Sequence, residues 1–401
     1  MLSLEEALTR LLSSVRPLAE AQTLPLALAL GRVLAEDVVS PIDVPGHANS
    51  SMDGYAVRLA DVPEPGVVLP VAQRIPAGHV GAPLQPGTAA RIFTGALLPE
   101  GADAIVMQEL CEPVEGGVRV QAVPTARQWV REAGEDVRGG SVVLPRGTRL
   151  TPQGLGLAAT VGRAEVRVVR RPRVALFSTG DELVMPGQPL KPGAIYNSNR
   201  DTLKGLLAQF GCECSDLGIV PDNLPATREA LRRAAAESDL ILTSGGVSVG
   251  EEDHVKPAVE AEGRLDLWQI AIKPGKPLAF GEVRAGGRTA WFIGLPGNPV
   301  SSFVTFLVAV RPLLRALQGA ATAAPPPVWL PAGFDWPKPD KRREFLRVRR
   351  GADGRLELFP NQSSGVLTST VWADGVIDNP PGHAFSAGDL VPYVSFAEWM
   401  Q

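Results

Sequence analysis

Apolar residues recur three and four apart at Leu4, Ala7, Leu8, Leu11, Leu12 and Val15, and the pattern stops at Pro17. Ser3 followed by Glu6 makes a capping box, so the chain opens with an amphipathic helix. From residue 23 to about 171 the pattern changes to short β-branched runs such as Val38-Val39, Val67-Val68-Leu69, Ala104-Ile105-Val106 and Val166-Arg167-Val168-Val169, separated by Gly and Pro. That grammar predicts strands between tight turns. One helix interrupts it, at 151–161, with Thr151 as cap and Pro152 in its first turn. Beyond Pro172 the chain alternates apolar strand, glycine-rich turn and helix. Residues 173–178 lead into Thr179-Gly180-Asp181-Glu182, 202–210 read as a helix, 240–243 lead into Ser244-Gly245-Gly246, and 291–293 lead into Gly294-Leu295-Pro296-Gly297-Asn298-Pro299. This predicts an α/β domain with a mainly parallel sheet. A Pro-rich linker at 321–327 precedes short alternating runs, Phe345-Leu346-Arg347-Val348 and Leu356-Glu357-Leu358-Phe359, which predict a small β-domain.

Length divides this pattern into several cores, because 401 residues exceed the roughly 250–300 that one core fills. More than two domains are expected. With 45% apolar and 20% charged residues the composition is that of a folded globular chain. Net charge is −4 and the one dense cationic run, Lys341-Arg342-Arg343, reads as a solvated turn, so no nucleic-acid footprint is expected. Cys111, Cys212 and Cys214 fit neither a disulfide framework nor a zinc pattern, and read as cytosolic thiols. The acidic start, Met1-Leu2-Ser3-Leu4-Glu5-Glu6, lacks a signal peptide's apolar region, and the apolar run 303–310 ends at Arg311, short of the ~20 residues of a membrane helix. A cytoplasmic protein without a membrane segment is expected.

Candidate chemistry gathers on the glycine-rich turns. In a doubly wound sheet, ligands bind at the carboxyl ends of the strands, where glycines let the backbone approach and helix N-termini offer free N–H groups. Ser244-Gly245-Gly246-Val247-Ser248-Val249-Gly250 follows a buried strand and suits a phosphate, although a tight structural turn has the same composition. Carboxylates surround these turns: Asp181, Glu182, Asp222, Glu251, Glu252 and Asp253. Acids beside a phosphate repel it unless a divalent cation intervenes, which points to Mg²⁺, with Glu182 and Asp253 as candidate ligands. Glu251 and Glu252 fit helix N-terminal carboxylates instead. Lys273-Pro274-Gly275-Lys276-Pro277 sets two cations on a proline-stiffened loop fit for an oxyanion or phosphoanhydride. These residues reach an α/β enzyme that takes a phosphorylated ligand with Mg²⁺, flanked by β-rich domains.

Seven motifs then occur in one order: Asn49-Ser50-Ser51-Met52-Asp53-Gly54-Tyr55-Ala56; Phe93-Thr94-Gly95-Ala96 with Gly101-Ala102-Asp103-Ala104; Gly134-Glu135-Asp136-Val137; Ser178-Thr179-Gly180-Asp181-Glu182-Leu183; the 244–253 turn; 273–277; and 295–299. Over essentially its whole length the chain resembles the family of MoeA and the E domain of gephyrin, the molybdopterin molybdenumtransferases. The resemblance implies a helix at 1–22 packing on the α/β domain, a linking domain of 23–40 with 141–170, and an inserted β-rich domain at 41–140. It further implies a molybdopterin-binding α/β domain at 171–318, like that of the MoaB and MogA adenylyltransferases, and a C-terminal β-barrel at 319–401.

The implied reaction inserts molybdate into adenylylated molybdopterin with Mg²⁺-dependent release of AMP. Asp53, Thr94, Asp136, Glu182, Asp222 and Asp253 would be catalytic. Ser244, Gly245, Gly246, Ser248, Gly250, Lys273, Lys276, Pro296, Pro299 and Ser364 would bind the cofactor. A homodimer is implied, with Asp53, Thr94 and Asp136 of one subunit facing the α/β site of the other. A molybdopterin adenylyltransferase and molybdoenzymes are the implied partners. Two rival readings are the preceding adenylylation step, on the likeness of the α/β domain, and a gephyrin-like scaffold. The C-terminal match is looser: Ser363 stands where a glycine is usual and Trp372 is bulkier than the family pattern.

Overall fold

The computed structural model describes residues 1–247 and 254–400. At its centre lies a six-stranded sheet in which Glu213–Val220, Arg173–Thr179, Leu240–Ser244 and Arg288–Leu295 run parallel in that spatial order. Pro277–Ala285 and Gly263–Gln269 continue the sheet antiparallel. Along Arg173–Thr179, Val174 and Leu176 enter one apolar cluster and Ala175 and Phe177 the other. Residues 174–177 are therefore continuously apolar instead of alternating, as a parallel strand covered on both faces must be. Helices Leu4–Ser14, Ser198–Gln209 and Pro299–Leu317 cover one face; Leu224–Glu237 and Val255–Glu262 cover the other.

Local signals set most of the helix starts. Ser3 accepts from the Glu6 N–H while Glu6 returns to the Ser3 N–H. Thr151 caps Pro152–Thr160 through the Gly154 N–H. The helix expected at 202–210 begins at Ser198, because the Asn197 side chain accepts from the Arg200 N–H. After Thr179 the chain does not enter a helix directly; it first pairs Leu183–Val184 with Ile195–Tyr196.

The apolar run expected to end at Arg311 continues. Pro299–Leu317 is one 19-residue helix, long and apolar enough by composition to cross a membrane, yet 89% of its most apolar window is buried inside the fold. A π turn, Phe306–Val310, lies just ahead of Pro312, where a regular α turn would press the proline ring against the Val308 carbonyl.

The linking domain pairs Ala21–Pro25 with Glu165–Val169 and Val38–Val39 with Val142–Leu144 around a small core including Leu34, Leu150 and Val168. Arg170 ties it to the central sheet through a forked pair with Asp239, at 2.6 and 2.8 Å, and a bond to Glu20 at 2.7 Å. The inserted domain has a four-stranded sheet (Val71–Ile75, Ala89–Ile92, Gly54–Val57, Ala104–Met107) and a three-stranded one (Val67–Leu69, Gly117–Val120, Cys111–Val114).

In the C-terminal domain Arg343–Arg350, Gly375–Asn379, Leu390–Ser395 and Val328–Pro331 pair in sequence, Leu356–Leu358 pairs with Arg343–Arg350, and a bridge from Ala332 to Leu356 closes the barrel. Its outermost strand, Ile272–Lys273, comes from the α/β domain and runs parallel to Arg343–Arg350. Trp372 uses its volume: Arg349 lies 4.4 Å over its ring and Phe359 meets it edge-on at 5.3 Å.

Candidate active site

Loops at the carboxyl ends of the parallel strands, joined by 362–364 of the barrel, enclose a cavity of about 640 Å³. Its floor is backbone. Gly245 and Gly246 have φ of +92° and +65°, and a Cβ would stand 2.8 Å from the Thr179 carbonyl at the first and 2.5 Å from Val255 Cγ2 at the second. Two neighbouring turns can meet this closely only without side chains.

Of the residues expected from sequence, Glu182, Asp222, Gly245, Gly246, Lys273, Lys276, Pro296 and Ser364 line this cavity. Ser244 and Pro299 line an adjoining recess of about 560 Å³, together with Thr179, Tyr196, Asn197 and Asn199. Ser248, Gly250 and Asp253 lie outside the described residues. The main-chain carbonyl of Ser364 accepts from the Val300 N–H at 3.0 Å, which docks the barrel loop onto the start of the long helix. Thr179 Oγ1 and Asn197 Nδ2 are buried without a hydrogen-bond partner. Buried polar atoms are seldom left so, and both border the space where a ligand would supply the missing bond.

The cations here are not equivalent. Lys273 Nζ lies 3.2 Å from Glu344 and 3.5 Å from Asp340. Arg342, expected to be a solvated turn residue, instead lines the cavity and forks onto Asp340 at 3.0 and 2.8 Å. Those bonds from Arg342 hold the Asp340 carboxyl far below the usual carboxylate range. Lys276 is exposed on the same wall. Lys273 and Arg342 therefore pair with Glu344 and Asp340, Lys276 adds a third cation to the lining, and Glu182 and Asp222 add acid to it. Among the described residues, no group of three or more His, Cys, Asp and Glu side chains is arranged for a metal ion.

Asp53 and Thr94 form a second cluster, in the inserted domain. Asp53 Oδ1 accepts from the Thr94 N–H and hydroxyl, each at 2.8 Å, and those two bonds lower its pKa, with Arg91 adding to the effect. Arg91 lies over the rings of Phe93 and Tyr55, at 4.8 and 5.1 Å, and donates to the Gly54 carbonyl at 3.1 Å. Asp136 is exposed on a loop fixed by its own N–H to the Val44 carbonyl at 3.0 Å. None of these three lines the cavity.

Sequence reasoning missed Arg342, Gln362, Asn197 and Asn199. Only Arg342 carried a local signal, an aspartate two residues earlier. Ser363 lines the cavity and has no positive φ, so the place does not require glycine.

Three family models match in order: the MoeA N-terminal region (domains I and II) at 2–162, a probable molybdopterin binding domain at 175–316, and the MoeA C-terminal region (domain IV) at 330–396. The chain is 46% identical to the molybdopterin molybdenumtransferase of Haemophilus influenzae, over 82% of this chain and 80% of that protein. It is 38% identical to molybdopterin molybdenumtransferase 2 of Mycobacterium tuberculosis, over 94% of each. Among solved structures, the molybdopterin biosynthesis moeA protein of Pyrococcus horikoshii superposes with a TM-score of 0.86 at 28% identity, covering 99% of this chain and all of that one. Four structural regions, the matched models and these full-length relatives agree, and the chain belongs to the MoeA family of molybdopterin molybdenumtransferases.

Proposed function

We propose that this chain inserts molybdate into adenylylated molybdopterin, with Mg²⁺-dependent release of AMP. The observation that carries the reading is the cavity itself, which joins a glycine backbone floor, a wall of Lys273, Lys276 and Arg342, and the carboxylates Glu182 and Asp222. Anionic groups suit the cationic wall. The adjoining recess offers amides and hydroxyls beside the single carboxylate of Glu182, which suits the hydrogen-bonding edge of a ring system.

Glu182 and Asp222 fit Mg²⁺, which takes one or two protein carboxylates and completes its shell with water and phosphate oxygens. When bound it would neutralise charge on the phosphates. Lys276, in the same lining, supports the same charge, and the backbone N–H groups of 245–247 orient the phosphate. Water cleaves the phosphoanhydride, AMP leaves, and the oxyanion held by the cations lies ready for the dithiolene sulfurs. Asp53, Thr94 and Asp136 enter this scheme from a second copy of the chain, because they lie in the inserted domain outside the cavity of their own copy.

The test is AMP release from adenylylated molybdopterin and Mg²⁺, with and without molybdate. Molybdate-dependent release is expected. Tight cofactor binding without release, or consumption of ATP on metal-free molybdopterin, would overturn the reading.

A further inference from the structure

We infer that Glu344 is the positioning residue for the lysine loop of the cavity, and that the C-terminal barrel acts on the reaction through it. The inference rests on the reading of this cavity as the anion site.

Glu344 is fully buried, with no exposed surface. Its carboxylate accepts from Trp336 Nε1 at 2.8 Å, the Asp340 N–H at 3.1 Å and Asn379 Nδ2 at 3.4 Å, all within the barrel. The fourth donor, Lys273 Nζ at 3.2 Å, arrives from the α/β domain. A carboxylate withdrawn from water is unfavourable unless matched by donors and a counter-charge. The barrel supplies the neutral donors, and the loop lining the cavity supplies the ammonium.

Backbone pairing points the same way. Ile272–Lys273 runs as the outermost strand of the barrel sheet, with Ile272 opposite Arg343 and Lys273 opposite Glu344. The Arg343 N–H adds a bond to the Ala271 carbonyl at 2.8 Å. Lys273 thus spends its charge as a strut, while Lys276, three residues on and exposed, keeps its charge for the cavity. Removing the Glu344 charge frees the strut and lets the 273–277 wall drift from the glycine floor.

The experiment compares wild type with Glu344→Gln, Lys273→Met and the double variant, by hydrogen exchange of 270–278 without ligand and by calorimetric titration with molybdate. Gln keeps an acceptor for Trp336 and loses the ion pair, and Lys273→Met breaks the same pair from its more exposed end should Glu344→Gln fail to fold. Faster exchange confined to 270–278 is expected in each single variant. Molybdate binding should weaken about tenfold in Glu344→Gln, and the double variant should be no worse than Lys273→Met alone, since Glu344 acts through Lys273. Unchanged exchange overturns the inference. So does wild-type molybdate affinity in a variant whose loop has loosened, or a double variant that multiplies the two losses. If the loop loosens but the wild type itself binds no molybdate, the anion reading of the cavity falls while the hold of Glu344 on the loop stands.

Discussion

Asp53 receives two hydrogen bonds from one threonine, and both favour its charged form. The depressed pKa keeps this carboxylate ionised at a pH where an ordinary aspartate begins to take up a proton. Thr94→Val deletes the hydroxyl donor and retains the N–H, so the Asp53 pKa moves up toward the ordinary value. If the ionised form is the working one, the acid limb of the pH–rate profile shifts to higher pH in Thr94→Val while the plateau falls. A profile that loses height without moving would mean that Thr94 acts on something other than the charge of Asp53. Asp53→Ala should abolish insertion while shifting the thermal midpoint only slightly, since the bonds its side chain accepts come from Thr94 alone, on an exposed turn.

At the level of elements, the long helix Pro299–Leu317 is the spine of the central core. Phe306 is fully buried, packs 5.9 Å from Phe210 at the C-terminal cap of the neighbouring helix, and sits in the π turn. Phe306→Ala is expected to cost about 3–5 kcal/mol, read as a shift in denaturation midpoint, because the surrounding core cannot collapse into the space. The start of this helix was legible in Pro299, a proline at the first helical position, and the first helix in the capping pair Ser3 and Glu6, both signals within four residues. The parallel strands were legible too, as apolar runs ending in glycine turns. The turn residues that line the cavity followed from them, because turn chemistry and strand ends coincide. What stayed hidden depends on partners far along the chain. Nothing near Lys273 announces that Glu344, 71 residues later, will hold it. The antiparallel edge, Gly263–Gln269 and Pro277–Ala285, lacks the strand–turn–helix spacing that marks its neighbours. Arg342 looked solvated because its sequence neighbours are charged, and only folding turns it into the cavity.

Across the whole molecule, the expected site residues fall into two groups that one copy of the chain does not bring into one cavity. A shared site makes a direct prediction. Asp53→Asn and Lys276→Gln should each be inactive, and mixing them with subunit exchange should restore activity to about a quarter of wild type, as half the dimers then carry one intact site of two. No recovery in a mixture shown by mass to exchange would place all essential groups within single chains. The first helix has a different kind of reach. Leu4, Ala7, Leu11 and Val15 lie in the same apolar cluster as Leu313, Leu314 and Leu317. A ribosome adding roughly 5–20 residues per second needs about 15–60 s to travel from one set to the other. For that interval a strongly amphipathic helix waits with its leucines uncovered, so the nascent chain is a natural client for a chaperone that shields apolar segments, and fast translation would favour its yield.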